Sequence, residues 1–428
     1  MRSPQLWPRF VLAGVLLLLT VPMALAGWSM HPLGLAWPPL VALTVILITR
    51  RAALGLFTAG LAGCLLIANG QTMETIRLWA GVHLWQTLLG DWRPSHGLGA
   101  LPSEFHLWHV GAIVFTLLLG EFAALLERGG GLRRFLAGDP SSGTPPAPRR
   151  FLLSVYGLGL LCFFDGLANS LMVGRVSQGI ADRLRVPRVV LAYLVDTTSS
   201  AVACVAVVST WIAMQLTLIA DGTAGLPLET PAYSLFLTSI PHNYYCLFAL
   251  ALAFLVCLRG WWIGPMARAR AMASSAAEAE DEPPSSERWR ALVPLAVLLP
   301  AILVFYYLLH PAYSDGAGPR FPLTLEKMQA ALGSNAGPAA FVLGSLTALG
   351  TAALCYPPDR RGEIARTAGR GAAQMLAPLG ILILAWVFGS VLKAQGTAEA
   401  LALALGDTLP PRLFPAAVFL SSCLIAFV

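Results

Sequence analysis

Hydrophobic positions along this chain form long continuous runs that are separated by short polar gaps. A helix needs about 20 predominantly apolar residues to cross the hydrocarbon core of a bilayer. Such runs predict membrane spans at about 10–27, 33–49, 52–70, 105–127, 189–220, 232–258, 291–310, 337–355, 373–393 and from 412 onward. The pattern therefore predicts an all-α, polytopic transmembrane helix bundle of about ten spans.

Arginine-bearing loops predict the orientation of these spans, because cytoplasmic loops carry an excess of basic residues. The loops expected in the cytoplasm are 50–51, 128–150, 259–290 and 360–370. Residues 71–104 and 311–336 are then expected outside.

One apolar run, 151–173, conflicts with this orientation if it crosses the membrane once. It would carry the four arginines that follow it to the outer side: Arg175, Arg183, Arg185 and Arg188. A re-entrant hairpin over residues 151–187 removes the conflict. Non-helical backbone at the tip of a hairpin is tolerated at membrane depth only where protein or a water-filled cavity satisfies it, so we expect a binding site there.

The chain divides into four predicted regions. Residues 1–104 form an N-terminal transmembrane region, and residues 105–258 form a first transport repeat with the hairpin 151–187 and a broken helix at 189–220. Residues 259–290, rich in Ala, Ser, Glu and Pro, are a predicted cytoplasmic linker. Residues 291–428 form a second repeat, expected to be incomplete because the chain stops inside an apolar run. The pattern also leaves open cleavage after Ala24-Leu25-Ala26, which resembles a signal-peptidase site.

Composition supports a membrane protein and excludes several functional classes. Hydrophobic residues make up 57% of the chain and charged residues 12%, against about 25% charged in soluble domains. The net charge of +6 comes from arginines clustered in loops, which indicates topology and not nucleic-acid binding. We find no phosphate-binding loop, no H-E-x-x-H pattern and no nucleophile–base pair, so we expect neither an enzyme nor a cofactor.

Two acidic residues within apolar sequence stand out, because a charged group there costs at least about 2.5 kcal/mol and marks a functional site. Asp165 is followed by Asn169 and Ser170, one helical turn further along. Asp196 is the second acid. Either aspartate could instead cap a helix or pair with an arginine.

Hydroxyl groups accompany Asp196 in unusual number, which favours a broken helix. They belong to Thr197, Thr198, Ser199, Ser200, Ser209 and Thr210. Breaks of this kind expose backbone carbonyls that coordinate sodium in transporters, and a carboxylate there can hold either a proton or a cation. The alternative is that these hydroxyls only bond to the preceding turn of their own helix. Histidines 83, 96, 106 and 109 are expected in or beside a solvated outer loop.

The stretch FFDGLANSLMVGRVSQGIADRLRVPRVVLAYLVDTTSSAVACVAVVSTWIAMQLTLI resembles the NhaC-type sodium/proton antiporter family. The matching positions are Asp165, Ala168, Asn169, Ser170, Asp182, Arg183, Tyr193, Asp196, Thr198, Ser209, Thr210 and Trp211. Weaker similarity covers most of the chain after about residue 105. Two departures stand out: Gly166 replaces the second acid of an Asp-Asp pair, and Gln178-Gly179 replaces Arg-Pro.

The resemblance implies a secondary transporter of the bacterial inner membrane that exchanges sodium for protons and serves pH homeostasis. The expected ion ligands are Asp165, Asn169, Ser170, Asp196, Thr197, Thr198, Ser199, Ser209 and Thr210. The alternative is a sodium- or proton-coupled exchanger of an organic anion such as malate or lactate. The expected partners are sodium, protons and the lipid bilayer, and the sequence leaves homodimer formation open.

Overall fold

The computed structural model describes most of the chain. The described residues are 7–89, 107–137, 147–163, 166–206, 209, 211–212, 215–216, 219, 223, 230, 232–262, 264, 266–268, 287–309, 325–332, 337–397, 400, 410 and 412–426. All regular elements within these residues are helices.

The helices in chain order are α1 (Trp7–Leu25), α2 (Pro32–Thr49), α3 (Ala52–Ile67), α4 (Thr72–Ile76), α5 (Trp85–Leu89), α6 (Leu107–Arg128), α7 (Gly131–Ala137), α8 (Pro148–Leu161), α9 (Gly166–Arg183), α10 (Arg188–Val205), α11 (Ala232–Ser239), α12 (Tyr244–Arg259), α13 (Trp289–Leu309), α14 (Leu325–Leu332), α15 (Gly337–Cys355), α16 (Ile364–Gln395) and α17 (Phe414–Ala426). A π-helix, Arg77–Leu84, joins α4 to α5. Single 3-10 turns cover Trp28–Met30 and Ile240–His242, and a longer 3-10 segment covers Pro358–Glu363.

The prediction of an all-α polytopic bundle is confirmed. Within the described residues, six helices are long and apolar enough to cross a membrane. A seventh is added if α11 and α12, bent by 50° at residues 240–243, form one span. That bend follows from Pro241, and the side chain of Asn243 starts the next helix by accepting a hydrogen bond from the backbone N–H of Cys246 at 3.5 Å.

The chain forms two compact units. Unit 1 contains residues 1–110 and 376–428, and unit 2 contains residues 111–375, so the divisions fall inside α6 and α16. These units follow spatial contact, and the arrangement into two transport repeats stays a prediction.

In unit 1, α2 and α3 are joined by a tight turn and pack side by side. Arg50 makes this turn in the left-handed backbone region, with φ of 53°. The contact is built from small and β-branched residues, which let the two helices approach closely: Val41, Ala42, Val45, Ala59 and Ala62. Helix α1 also packs against α3.

In unit 2, α10 is the central helix of one group and packs against α8, α9 and α12. A second group pairs α13 with α15, where the backbone at Gly344 lies against Ile302. The predicted hairpin region 151–187 contains α8 and α9, which pack against each other. Whether this hairpin is re-entrant stays a prediction.

A close backbone contact inside unit 2 allows a direct test of this packing. A Cβ atom on Gly371 of α16 would overlap the backbone carbonyl of Gly120 in α6, whereas a Cβ on Gly369 would meet no atom within 4 Å. We expect Gly371→Val to destabilise the protein by about 1–3 kcal/mol or more, because a backbone atom cannot move aside as a side chain can. The measurement is the thermal unfolding temperature in detergent. Gly369→Val is the control, and equal effects of the two substitutions would contradict this packing.

Candidate functional site

The turn between α8 and α9 is held by the side chain of Asn169. Its Nδ2 atom donates a hydrogen bond of 2.9 Å to the carbonyl of Gly159 in the last turn of α8. This bond fixes the orientation of the amide, so the Oδ1 atom faces the other way. Oδ1 is buried and has no hydrogen-bond partner within the described part of the chain. A buried polar atom without a partner costs about 1–3 kcal/mol, which favours a ligand or ordered water at this position.

Hydroxyl groups of α9 and α10 meet beside this amide. Ser170 Oγ lies 2.8 Å from Ser199 Oγ, and Ser199 Oγ donates to the backbone carbonyl of Asp196 at 3.0 Å. Thr198 is fully buried and packs against Gly159, where any larger residue would overlap its side chain. The amide and the three hydroxyls therefore form one polar cluster where α8, α9 and α10 pack.

The hydroxyls of this cluster bond to backbone carbonyls, as the alternative interpretation expected, but this does not remove them as ligands. Thr198 Oγ1 donates to the carbonyl of Leu194 at 2.8 Å, and Ser199 donates its single hydrogen in the same way. Each hydroxyl oxygen keeps lone pairs after its hydrogen is used. The cluster thus presents oxygen acceptors, which are the ligands that hard cations prefer.

Within the predicted span 189–220, the first helix ends after the run of hydroxyl residues 197–200. Helix α10 continues through residues 196–200, ends at Val205 and gives way to extended backbone at Ala206. Ser209 spans the break because its Oγ donates to the carbonyl of Ala203 at 2.6 Å and accepts from the backbone N–H of Ile212 at 3.1 Å. This fully buried serine connects the end of one helical segment to the start of the next.

Asp196 lies near the middle of α10, eight residues and about 12 Å from the start of the helix at Arg188. Its side chain lies on the exposed face of the helix, and only its backbone carbonyl joins the polar cluster. Thr197 is partly exposed and shares a hydrogen bond with Tyr193. The other predicted acid, Asp165, and the predicted ligand Thr210 lie outside the described residues.

Gly166, where the resemblance has a second acid, leaves space beside the cluster. A Cβ atom there would lie 3.2 Å from the backbone carbonyl of Ser199 and 3.5 Å from the indole nitrogen of Trp211. A residue with a side chain would fill this space, so the glycine brings the start of α9 close to α10.

The nearest described cation on α9, Arg175, is already paired. It donates a 2.6 Å hydrogen bond to the side-chain oxygen of Gln374 and lies 3.6 Å from the carboxylate of Glu127. Because the carboxylate balances its charge, Arg175 offers little attraction to an anionic substrate.

Two buried polar residues in unit 1 were missed at the level of sequence. His83 was expected beside a solvated loop, and that prediction is wrong: its side chain is 4% exposed and lies 2.9 Å from the hydroxyl of Ser390. Gln395 was not singled out, although it is a neutral amide inside an apolar run. Hydropathy indicates how apolar a segment is but not which type of helix it forms. The π-helix that carries His83 therefore could not be recognised from the sequence.

Comparison with known proteins identifies the family. The sequence profile described as the Na+/H+ antiporter family matches residues 202–428. This range covers more than half of the chain and includes Ser209, whereas the cluster around Asn169 precedes it.

An uncharacterized protein of Haemophilus influenzae is 24% identical over 381 residues, which cover 85% of this chain and 72% of that relative. No solved structure matches. The family match and the membrane-spanning helices agree in making this chain a multi-pass membrane transporter, and it belongs to the Na+/H+ antiporter family.

Proposed function

We propose that the protein exchanges sodium for protons across the bacterial inner membrane and that the cation binds between α8, α9 and α10. The observation that carries this proposal is the Oδ1 atom of Asn169, which is buried without a partner among the described residues and belongs to the residue next to Ser170, whose hydroxyl lies 2.8 Å from that of Ser199. A group of acceptor oxygens in a low-dielectric interior is stabilised by a cation placed among them.

The two aspartates supply the exchange step in this proposal. Asp165 precedes Asn169 by four residues in the sequence, and Asp196 lies near the middle of α10 with its side chain on the exposed face of that helix. Sodium binds to the ionised form of a carboxyl group, and a bound proton neutralises that form. The two ions therefore compete for the same group. Exchange follows if the protein reorients only when one of them is bound.

The alternative of an organic-anion exchanger finds less support in the same region. An anionic substrate requires a fixed positive charge or free helix N-termini, and Arg175, the arginine of α9 that is nearest in sequence to Asn169, is paired with Glu127. We therefore favour a cation as the primary substrate, with malate or lactate as the competing outcome of the experiment.

The first test is proton movement in everted vesicles that contain the wild-type protein, Asp165→Asn or Asp196→Asn. Sodium, lithium, potassium and malate are added in turn. We expect proton release with sodium in the wild type and its loss in both variants, because asparagine cannot exchange a proton for a cation.

Asp182→Asn is the matched control, since Asp182 pairs with Arg188 at 2.9 Å at the partly exposed end of α9. A response to malate alone, or a sodium response that survives both substitutions, would overturn the proposed exchange or its assignment to these aspartates.

A second test replaces the Asn169 amide, which removes the unpaired Oδ1 atom together with the Nδ2 hydrogen bond to Gly159. We expect Asn169→Leu to raise the sodium concentration for half-maximal exchange about tenfold or more, since one lost ligand contact of about 1.4 kcal/mol changes binding tenfold. Initial exchange rates over a sodium titration measure this effect. Thr116→Val is the control, because that hydroxyl only bonds the carbonyl of Ala112 in its own helix. An unchanged sodium dependence in Asn169→Leu would remove Asn169 from the site.

A third test concerns the break after α10. Ser209→Ala leaves the carbonyl of Ala203 and the N–H of Ile212 without their side-chain partner, and each unpaired buried group costs about 1–3 kcal/mol. We expect a lower unfolding temperature and slower exchange. Ser345→Ala is the comparison, since Ser345 is equally buried but bonds only within α15. If both variants behave alike, the bridge at Ser209 contributes nothing specific.

A further inference from the structure

Two cysteine side chains on neighbouring helices of unit 2 are in contact. Cys204 is the second-last residue of α10, and Cys246 lies in the first turn of α12. The thiol of Cys246 donates a hydrogen bond to the Sγ atom of Cys204. Both cysteines are free thiols. The contact therefore brings together two groups that can form a covalent bond with each other.

The register between α10 and α12 supports this contact. The two helices pack against each other, and Tyr193 of α10 interacts electrostatically with the Cys257 thiol of α12. The chain covers the same number of residues from Tyr193 to Cys204 as from Cys257 back to Cys246. Because antiparallel helices rise equally per residue, one register brings both pairs level. The thiol contact thus belongs to the packing of the whole helix pair.

The cap of α12 holds the sulfur of Cys246 in place. The side chain of Asn243 accepts a hydrogen bond from the backbone N–H of Cys246 at 3.5 Å, and it also bonds to the Cys246 sulfur. The sulfur is therefore held by the cap on one side and by Cys204 on the other. A pair in this arrangement needs only a small movement to form a disulfide, whereas cysteines that are far apart would require the backbone to move.

The position of the thiols along their helices predicts the side of the membrane that they face. Cys204 lies sixteen residues, or about 24 Å, from Arg188, and Cys246 lies thirteen residues, or about 20 Å, from Arg259. Both arginines are at helix ends that are predicted to be cytoplasmic. In a hydrocarbon core about 30 Å thick, we therefore expect the thiols in the outer half, towards the oxidising periplasm.

We propose that Cys204 and Cys246 form a redox modification site, at which a small apolar two-electron oxidant of the azo or quinone class joins the two sulfurs in a disulfide. One S–S bond forms and two S–H bonds break. The oxidant takes up the two electrons and two protons, so that an azo compound becomes a hydrazine and a quinone becomes a hydroquinone. An apolar oxidant is specified because Cys246 is buried and Cys204 is only partly exposed.

The disulfide would tie α10 to α12 beside two helix interruptions. Helix α10 ends one residue after Cys204, at the break that Ser209 bridges, and α12 begins at the bend after Pro241. Ser199 of the polar cluster lies five residues, or about 8 Å, before Cys204. A covalent tie at this place opposes separate movement of the two helices during alternating access. This effect on transport rests on the proposed function, whereas formation of the disulfide does not.

The test treats the full chain in membrane vesicles with diamide, an azo oxidant, and then alkylates the remaining thiols. We expect peptide mass spectrometry of the wild type to show a linkage between Cys204 and Cys246 that a reducing agent reverses. The unfolding temperature should rise by several degrees on oxidation, because a cross-link restricts the unfolded chain.

Three substitutions identify the partners of the linkage. Cys204→Ser and Cys246→Ser should each abolish it and the rise in unfolding temperature, while serine keeps a hydroxyl in place of the thiol. Cys257→Ser is the matched control and should oxidise like the wild type, because that buried thiol of α12 donates to the carbonyl of Leu152. Mapping in the wild type needs no substitution, so it decides the site even where a variant does not fold.

Sodium-driven proton release in the same vesicles measures the effect on transport. We expect diamide to stop it in the wild type and in Cys257→Ser, and to leave it intact in Cys204→Ser and Cys246→Ser. Absence of the linkage, or a linkage only between separate copies of the chain, overturns the site. A linkage with unchanged exchange overturns the effect on transport. If the vesicles show no sodium-driven exchange at all, the linkage and the unfolding temperature still decide whether the site exists.

Discussion

The interior of a membrane protein lacks a solvent that can complete hydrogen bonds, and the described residues are arranged around this constraint. A helix satisfies its own backbone, so continuous spans such as α13 and α15 need only close packing to be stable. Each interruption of a helix instead leaves carbonyl or N–H groups that a side chain must reach. The structure shows these partners at three interruptions: Asn169 at the turn after α8, Ser209 after α10 and Asn243 between α11 and α12.

The polar cluster of unit 2 follows from the same constraint. Asn169 uses its nitrogen to hold the turn between α8 and α9, and this use leaves its oxygen without a partner. The hydroxyls of Thr198 and Ser199 use their hydrogens on carbonyls of their own helix. Structural hydrogen bonding therefore consumes the donors and leaves acceptors, which is why a cluster that stabilises the fold can also suit a cation.

Glycine residues allow these polar groups to come together. Gly159 brings α8 against the side chain of Thr198, and Gly166 brings the start of α9 against the backbone of Ser199. In unit 1, Gly63 gives α16 access to α3 beside Gln395. Since apolar helices gain little hydrophobic driving force in lipid, close contact at small residues supplies much of their packing energy.

The all-α membrane fold was predictable from the sequence because long apolar runs have no other stable structure in a bilayer. Each of the ten predicted spans contains a helix, and the kink at Pro241 could be expected because proline removes a backbone donor. Asn169, Ser170, Thr198 and Ser199 could be selected because polar groups in apolar sequence are costly. These properties belong to single segments and require no knowledge of neighbouring ones.

Only the tertiary structure decided how these groups pair. It gave the two buried serines different roles, since Ser209 bridges a helix break and Ser199 joins the cluster. It also placed the Asp196 side chain on the exposed face of α10. It also buried His83 and Gln395, which hydropathy could not distinguish from residues of a loop or a helix end. The physical reason is that a hydrogen bond between two helices needs a partner on the second helix. Which helices meet is determined by packing and not by the local order of residues.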